Sequence, residues 1–224
     1  MAESTTSYRV LRAGARPNVE FDIKRSRFVG FAARVESEDE ARAFLGELRQ
    51  AHRQARHICH GFVVRPGRDI QRSSDDGEPA GTAGMPILKA IVGRETSPGV
   101  TDLSDVVVAV VRYFGGIKLG AGGLVQAYSD TAAATLDAAP MTTRQRMARL
   151  GVVLPMAEAG RVETTLRGQG HHLAPTGYAA QGANLTVAVP DDPVEIRAMV
   201  DHLARLTSGR AVPVLVGTYW LDRG

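Results

Sequence analysis

Apolar residues recur along the chain in two rhythms, and the places where one rhythm gives way to the other mark the elements. After a polar start expected to be disordered, Tyr8 to Leu11 and Val19 to Ile23 alternate with polar neighbours, as edge or hairpin strands do, and Arg27 to Val35 forms a third run. Antiparallel pairing is predicted for these. Ser37 followed by Glu40 makes a capping box, and Ala41, Phe44, Leu45 and Leu48 then fall at helical spacing as far as about Arg53. Ile58 to Val64 reads as another strand. Beyond it, Pro66, Gly67 and the polar stretch Arg72 to Gly81 hold turn formers without a period and predict a long loop. Pro86 to Val92 suits a short helix with Pro in its first turn and Gly93 at its end. Val106 to Tyr113 is β-branched and almost wholly apolar, the pattern of a strand covered on both faces, and Leu124 to Ala139 is an Ala-rich helix stopped by Pro140.

A second unit follows. Strands are predicted near Leu150 to Leu154, near Gly177, at Leu185 to Val189 and at Val212 to Leu221, with helices over Met156 to Arg167 and Pro193 to Leu206. That order, βαββαβ, is the ferredoxin-like one. The class is therefore α+β with two domains, residues 1–140 and 141–224, rather than a regular alternating Rossmann pattern.

Charge and composition narrow the function only a little. A formal net charge of +3 permits nucleic-acid binding without demanding it. Lysine occurs only at positions 24, 89 and 118, so the cations are nearly all Arg. A single cysteine, Cys59, excludes an internal disulfide, and no apolar run approaches the roughly 20 residues of a membrane span. With no signal-like start, a cytoplasmic protein without a membrane partner is expected.

Two glycine-rich segments could carry chemistry. In the first, from Ser73 to Pro86, the carboxylates Asp75, Asp76 and Glu78 stand beside Gly77, Gly81 and Gly84 just before a helix. Free backbone N–H groups there attract a phosphate while the carboxylates repel it, a conflict that Mg²⁺ bridging the two would resolve. A solvated loop with Thr82 or a neighbour as helix cap is the plainer reading. In the second, Arg112-Tyr113-Phe114-Gly115-Gly116-Ile117-Lys118-Leu119-Gly120 leads from the buried strand towards a helix, the geometry in which backbone approaches an anion closely. Neither the Walker A pattern nor the dinucleotide fingerprint is met, because Ala121 and Gly122 follow Gly120 and the third glycine of the fingerprint is missing. Arg112 and Lys118 suit phosphates and Tyr113 suits a base, as in single-strand binders. The same glycines would also serve a tight turn, and Arg112 could pair with a carboxylate such as Asp75.

In Arg56-His57-Ile58-Cys59-His60, strand geometry puts His57 and Cys59 on one face and His60 on the other, which argues against a zinc site. Cys59 reads as a small buried hydrophobe in preference to a nucleophile.

Four ordered segments carry a resemblance: Lys24-Arg25-Ser26-Arg27-Phe28, Arg56-His57-Ile58-Cys59, Asp75 through Gly84, and Arg112 through Gly120. Together they resemble the signatures of the YigZ/IMPACT family, and they cover the first domain; the second corresponds by position and strand order alone. The resemblance implies a first domain of the left-handed βαβ type shared by a small-subunit ribosomal protein, elongation-factor domain IV and the galactokinase-type kinases, and a second similar to the last domain of elongation factor G. It implies a link to translational regulation and nucleic-acid binding, by analogy of folds. The separate N-terminal partner-binding domain of the eukaryotic members has no room in the short start of this chain.

The reading that follows is a translation-associated, non-enzymatic factor whose first domain binds RNA or the ribosome. Its candidate phosphate- or nucleic-acid-binding residues are Arg27, His57, Thr82, Gly84, Arg112, Tyr113, Gly115, Gly116, Lys118 and Gly120. Two rivals stay open. One is an enzyme or binder acting on a nucleotide or phosphorylated metabolite, with Asp75, Asp76 and Glu78 holding Mg²⁺; Leu119 to Gly123 resembles the phosphate loop of the galactokinase-type kinases, without its Ser-Ser. The other is a protein-interaction module.

Overall fold

The computed structural model describes residues 5–223, so residues 1–4 of the polar start lie outside the described residues. In chain order the elements are β1 (Ser7–Leu11), β2 (Asn18–Ile23), β3 (Ser26–Arg34), α1 (Glu38–Ala51), β4 (His57–Val64), β5 (Ile70–Ser74), α2 (Gly84–Val92), β6 (Val106–Tyr113), α3 (Gly120–Asp137), β7 (Met141–Leu154), α4 (Met156–Gly168), β8 (His172–Leu173), β9 (Gly177–Ala179), β10 (Gly182–Pro190), α5 (Pro193–Leu206) and β11 (Val214–Arg223). The class is α+β. The described residues divide into two compact units, 5–143 and 144–223, with the division falling inside β7.

The first unit is built on a five-stranded antiparallel sheet in the order β2-β3-β6-β4-β5. The central strand β6 is apolar throughout because both of its faces are covered. Val106, Val108 and Val110 pack with Ile87, Ile91, Tyr128 and Leu136 of α2 and α3, whereas Val107, Ala109 and Val111 pack with Phe44 and Leu48 of α1. The period-two alternation of a strand thus sorts one run of valines into two cores. Helix α1 starts with a variant of the capping box: the Ser37 hydroxyl accepts the Glu40 N–H at 3.2 Å, and the Glu40 carboxylate accepts the N–H of Glu36, one residue before the cap, at 2.7 Å.

The segment expected to be one long loop contains β5, an edge strand paired with β4 from Val64↔Ile70 to His60↔Ser74. Its residues Gln71 and Arg72 are exposed, so backbone pairing holds it and no apolar alternation announces it. Helix α3 begins at Gly120 rather than Leu124, which puts three glycines in its first turn. Strand β7 begins at Met141, well before Leu150, because its polar first half still pairs through the backbone.

In the second unit β10 pairs antiparallel with β7, from Ala183↔Leu154 to Pro190↔Met147, and β8 and β9 both pair antiparallel with β10. The β11 strand pairs with β7. This is the arrangement expected of a ferredoxin-like unit. Val162 and Leu166 of α4 and Met199 and Leu203 of α5 close its core over Leu150, Val152, Leu185 and Val187. Asp192 caps α5 by accepting the Val194 and Glu195 N–H groups, with Pro193 at the first helical position.

Candidate phosphate-binding site

Between β5 and α2 the chain folds around its own carboxylates. Helix α2 has no capping side chain at Ala83, and Asp75 supplies one from eight residues away. One Asp75 oxygen accepts the N–H groups of Ala83 and Gly84, at 3.0 and 2.8 Å, and the other accepts that of Gly81 at 2.7 Å. Burial works to raise the Asp75 carboxyl, but these three donors outweigh it and hold the group below the ordinary carboxylate range. The anion that this loop attracts is therefore one of its own residues.

The other two carboxylates turn elsewhere. Asp76, in the left-handed region at φ 41°, accepts from Arg49 at 2.8 Å and from the Ile58 N–H at 2.7 Å. Burial opposes its ionisation, yet the Arg49 bond, the Ile58 bond and the nearby His57 lower its pKa overall. Glu78 is buried against Arg112 at 2.6 Å and the Tyr128 hydroxyl, which donates to it at 2.8 Å. The set Asp75, Asp76 and Glu78 expected to share Mg²⁺ thus has three separate foci. Among the described residues no group of three or more His, Cys, Asp or Glu is arranged to hold a metal ion.

At the end of β6, alternation separates two residues that the sequence reading had joined in one site. Tyr113 faces the α1 side, with its hydroxyl 2.7 Å from His52 Nδ1 and the Arg27 guanidinium 5.2 Å above its ring. Arg112 faces α3. Its side chain is only 6% exposed, lies between the rings of Phe28 and Phe114, and donates to Glu78 and, at 3.3 Å, to Ser26. Arg112 thus pairs with a carboxylate, as its alternative structural role anticipates, and that carboxylate is Glu78 rather than Asp75, which is occupied in capping α2. The Arg112 Nε is buried without a hydrogen-bond partner among the described residues.

The chain then passes over Arg25 so closely that a Cβ on Gly115 would stand 1.7 Å from the Arg25 carbonyl oxygen, which only glycine allows. Gly116 and Gly120 both take positive φ, at 88° and 77°. Helix α3 opens with no side-chain cap and no acidic residue in its first turn. Its leading N–H groups, at Gly120 to Gly122, accordingly lack the intrahelical acceptors that interior amides have, and the positive end of the helix carries no side-chain cap.

These parts meet around a cavity of about 380 Å³, whose lining includes Arg56, His57, Glu78, Pro79, Arg112, Phe114, Lys118, Leu119, Gly120, Ala121 and Leu124. The two glycine-rich segments converge there, one through Glu78 and Pro79, the other through Arg112 and Phe114 to Ala121. His57 Nδ1 lies 2.8 Å from the Asp76 carbonyl oxygen; because a carbonyl only accepts, Nδ1 carries the proton and Nε2 is left for a ligand. Arg56 and Lys118 are exposed, and among the described residues neither is tied into an ion pair.

Of the expected residues, His57, Arg112, Lys118, Gly120 and Glu78 line the cavity, and Tyr113 lines a hollow of about 200 Å³ that shares Arg56 and Phe114 with it. Arg27 stands over Tyr113 and pairs with Glu20 at 3.1 Å, away from the cavity lining. Thr82 donates its hydroxyl proton to the Pro79 carbonyl, and Gly84 lies against the Ser74 backbone, so both shape the loop. Arg56, Pro79, Phe114, Leu119, Ala121 and Leu124 were missed as site residues. The signal for Arg56 and Phe114 was their position immediately beside His57 and Tyr113.

Cys59 is fully buried and donates to the Asp75 carbonyl at 2.9 Å. Burial, partly offset by a Tyr128 hydrogen bond and reinforced by Glu78, Asp76 and Asp75, pushes its thiol up to about 12. It remains a thiol at neutral pH and is no nucleophile.

Known proteins share this arrangement of segments. The family profile described as "Impact N-terminal domain" matches residues 24–136, which span all four signature segments. An IMPACT family member of Thermus thermophilus, encoded in the pol 5' region, is 40% identical over 188 residues, covering 84% of this chain and 97% of that one. The Bacillus subtilis family member YvyE is 33% identical over 192 residues, 86% and 84% of the two chains. YigZ of Escherichia coli is 43% identical over 109 residues, about half of each chain. A crystal structure of a hypothetical protein superposes with a TM-score of 0.64 at 28% identity, covering 96% of this chain and 99% of its own. With the profile spanning the cavity-forming unit and two relatives aligned across most of both lengths, the chain belongs to the IMPACT family.

Proposed function

We propose that the protein binds RNA, free or within the ribosome, through the phosphate groups, at the α3 end of the first unit, and that it acts as a translation-associated factor. The observation that supports this reading is the convergence in one cavity of an uncapped helix N-terminus with Arg56 and Lys118, two cations without an ion pair among the described residues. Phe114, 42% exposed, and Pro79 provide apolar surface on which a base can stack. A net charge of only +3 makes this a local site rather than a basic field.

The test is binding of fluorescent single-stranded RNA and of ribosomes over a series of salt concentrations. Affinity is expected to fall with salt as counterions are released, and Lys118→Ala should reduce the slope of log K against log salt by about 1. Absence of binding to both at low salt would remove the proposal.

One observation favours a second reading: a cavity of about 380 Å³ is within the size range of small-ligand sites. The protein then binds a free nucleotide or a phosphorylated metabolite. Thermal-shift measurements with nucleotides, with and without Mg²⁺, examine this, because ligand at 100 times its Kd should stabilise by about 2.7 kcal/mol.

A further inference from the structure

The charges around the cavity do not suit every phosphate equally. Arg112 and Glu78 neutralise each other, since their 2.6 Å contact is buried on both sides. What remains is Arg56, Lys118 and the positive end of α3, which carries about half an elementary charge. A phosphodiester within a continuous strand brings a single negative charge to this site. A phosphomonoester at neutral pH brings about 1.5 to 2, with three strong acceptor oxygens. Only the second approaches the positive charge available.

Two further features point the same way. Arg112 lines the cavity with its side chain 94% buried, yet its Nε has no partner among the described residues. A donor left unsatisfied at such depth can be met by an acceptor on a ligand in the cavity that Arg112 lines. His57, oriented by its bond to the Asp76 carbonyl, leaves Nε2 for a hydrogen bond with a hydroxyl such as those of a ribose. The volume of about 380 Å³ is of the size that holds one nucleotide.

We infer that this site is a reader of phosphomonoesters: it holds the terminal phosphate of a nucleotide, at the end of an RNA strand, and discriminates against the internal diesters of the same strand. The inference rests on the RNA-binding reading above and narrows it. Its core is the match between an excess of positive charge at an open, nucleotide-sized cavity and the second charge that only a monoester supplies.

The experiment uses the full chain and fluorescence anisotropy with one short single-stranded RNA prepared in three forms, with a 5′-phosphate, with a 3′-phosphate, and with hydroxyls at both ends. At least one phosphorylated form is expected to bind tenfold or more tightly than the hydroxyl form. Arg56→Ala and Lys118→Ala, both at exposed positions, should keep the far-UV spectrum and melting temperature of the parent while shrinking that preference to less than threefold. A mononucleoside phosphate that competes as well as the strand supports the inference with the nucleotide itself as the unit recognised, and competition by the phosphorylated strand alone supports it with the strand end as the unit. Equal affinity for all three RNA forms overturns the inference and leaves RNA binding standing. No binding of any form overturns both.

Discussion

Buried between β6 and α3, the Arg112 and Glu78 side chains are 6% and 4% exposed, with Ser26 accepting a further hydrogen bond from Arg112 and Tyr128 donating one to Glu78. Removing one partner strands the other without water, which is what makes such pairs costly to break. Arg112→Ala is expected to destabilise the protein by about 3–5 kcal/mol in urea denaturation, while the double substitution Arg112→Met with Glu78→Leu recovers much of that loss. Asp75 makes a different prediction. Its folded pKa is depressed below the unfolded value near 3.9, so it contributes stability that is present above that value and disappears as pH falls through the folded pKa. Asp75→Asn should cost about 1–2 kcal/mol at pH 7 and flatten the decline of stability below about pH 4, as followed by thermal melting over a pH series. The identities of these residues were visible in the sequence; their partners were not. Whether Asp75 or Glu78 meets Arg112 depends on which carboxylate caps α2, and that choice is made by a loop without periodicity.

Helix α3 shows how a missing feature can be informative. A helix of 18 residues ordinarily carries a capping side chain or an acidic first turn, and this one has Leu119, Gly120, Ala121, Gly122 and Gly123 instead. If the glycines served packing alone, filling one would matter only through fit. A Cβ on Gly122 meets nothing within 4 Å. Gly122→Asp is therefore expected to stabilise the fold by about 0.5–1 kcal/mol, through helix propensity and the helix dipole, while weakening phosphate binding at least tenfold. Opposite signs in the denaturation and binding measurements identify a functional vacancy. Gly115→Ala, in contrast, should damage folding itself, because its methyl group would collide with the Arg25 carbonyl. The buried strand, the two helices of the first sheet face and the turn between Tyr113 and α3 were legible from pattern. Strand β5 was not, since an edge strand with exposed Gln71 and Arg72 lacks the apolar signal that pattern depends on. Nor was the grouping of Arg112 with Tyr113 correct: the alternation that separated His57 from His60 applies equally there, and splits them between two faces.

For the molecule as a whole, the α+β class and the βαββαβ order of the second unit followed from the sequence of rhythms, because each helix carries an apolar stripe and each buried strand a solid apolar run. The strand pairings that build two sheets from these elements join residues far apart in the chain and leave no local trace. The chemistry is concentrated in the first unit, where residues from β4, the loop before α2, β6 and α3 surround one cavity. The measurement that addresses this most directly is a titration of ¹⁵N-labelled protein with 5′-phosphorylated RNA, followed through amide chemical shifts. Saturable shifts are predicted at Gly120 to Gly123 and around His57, with residues 150–223 unmoved. Shifts confined to residues 150–223, or centred on the Asp75 loop with α3 silent, would contradict the account.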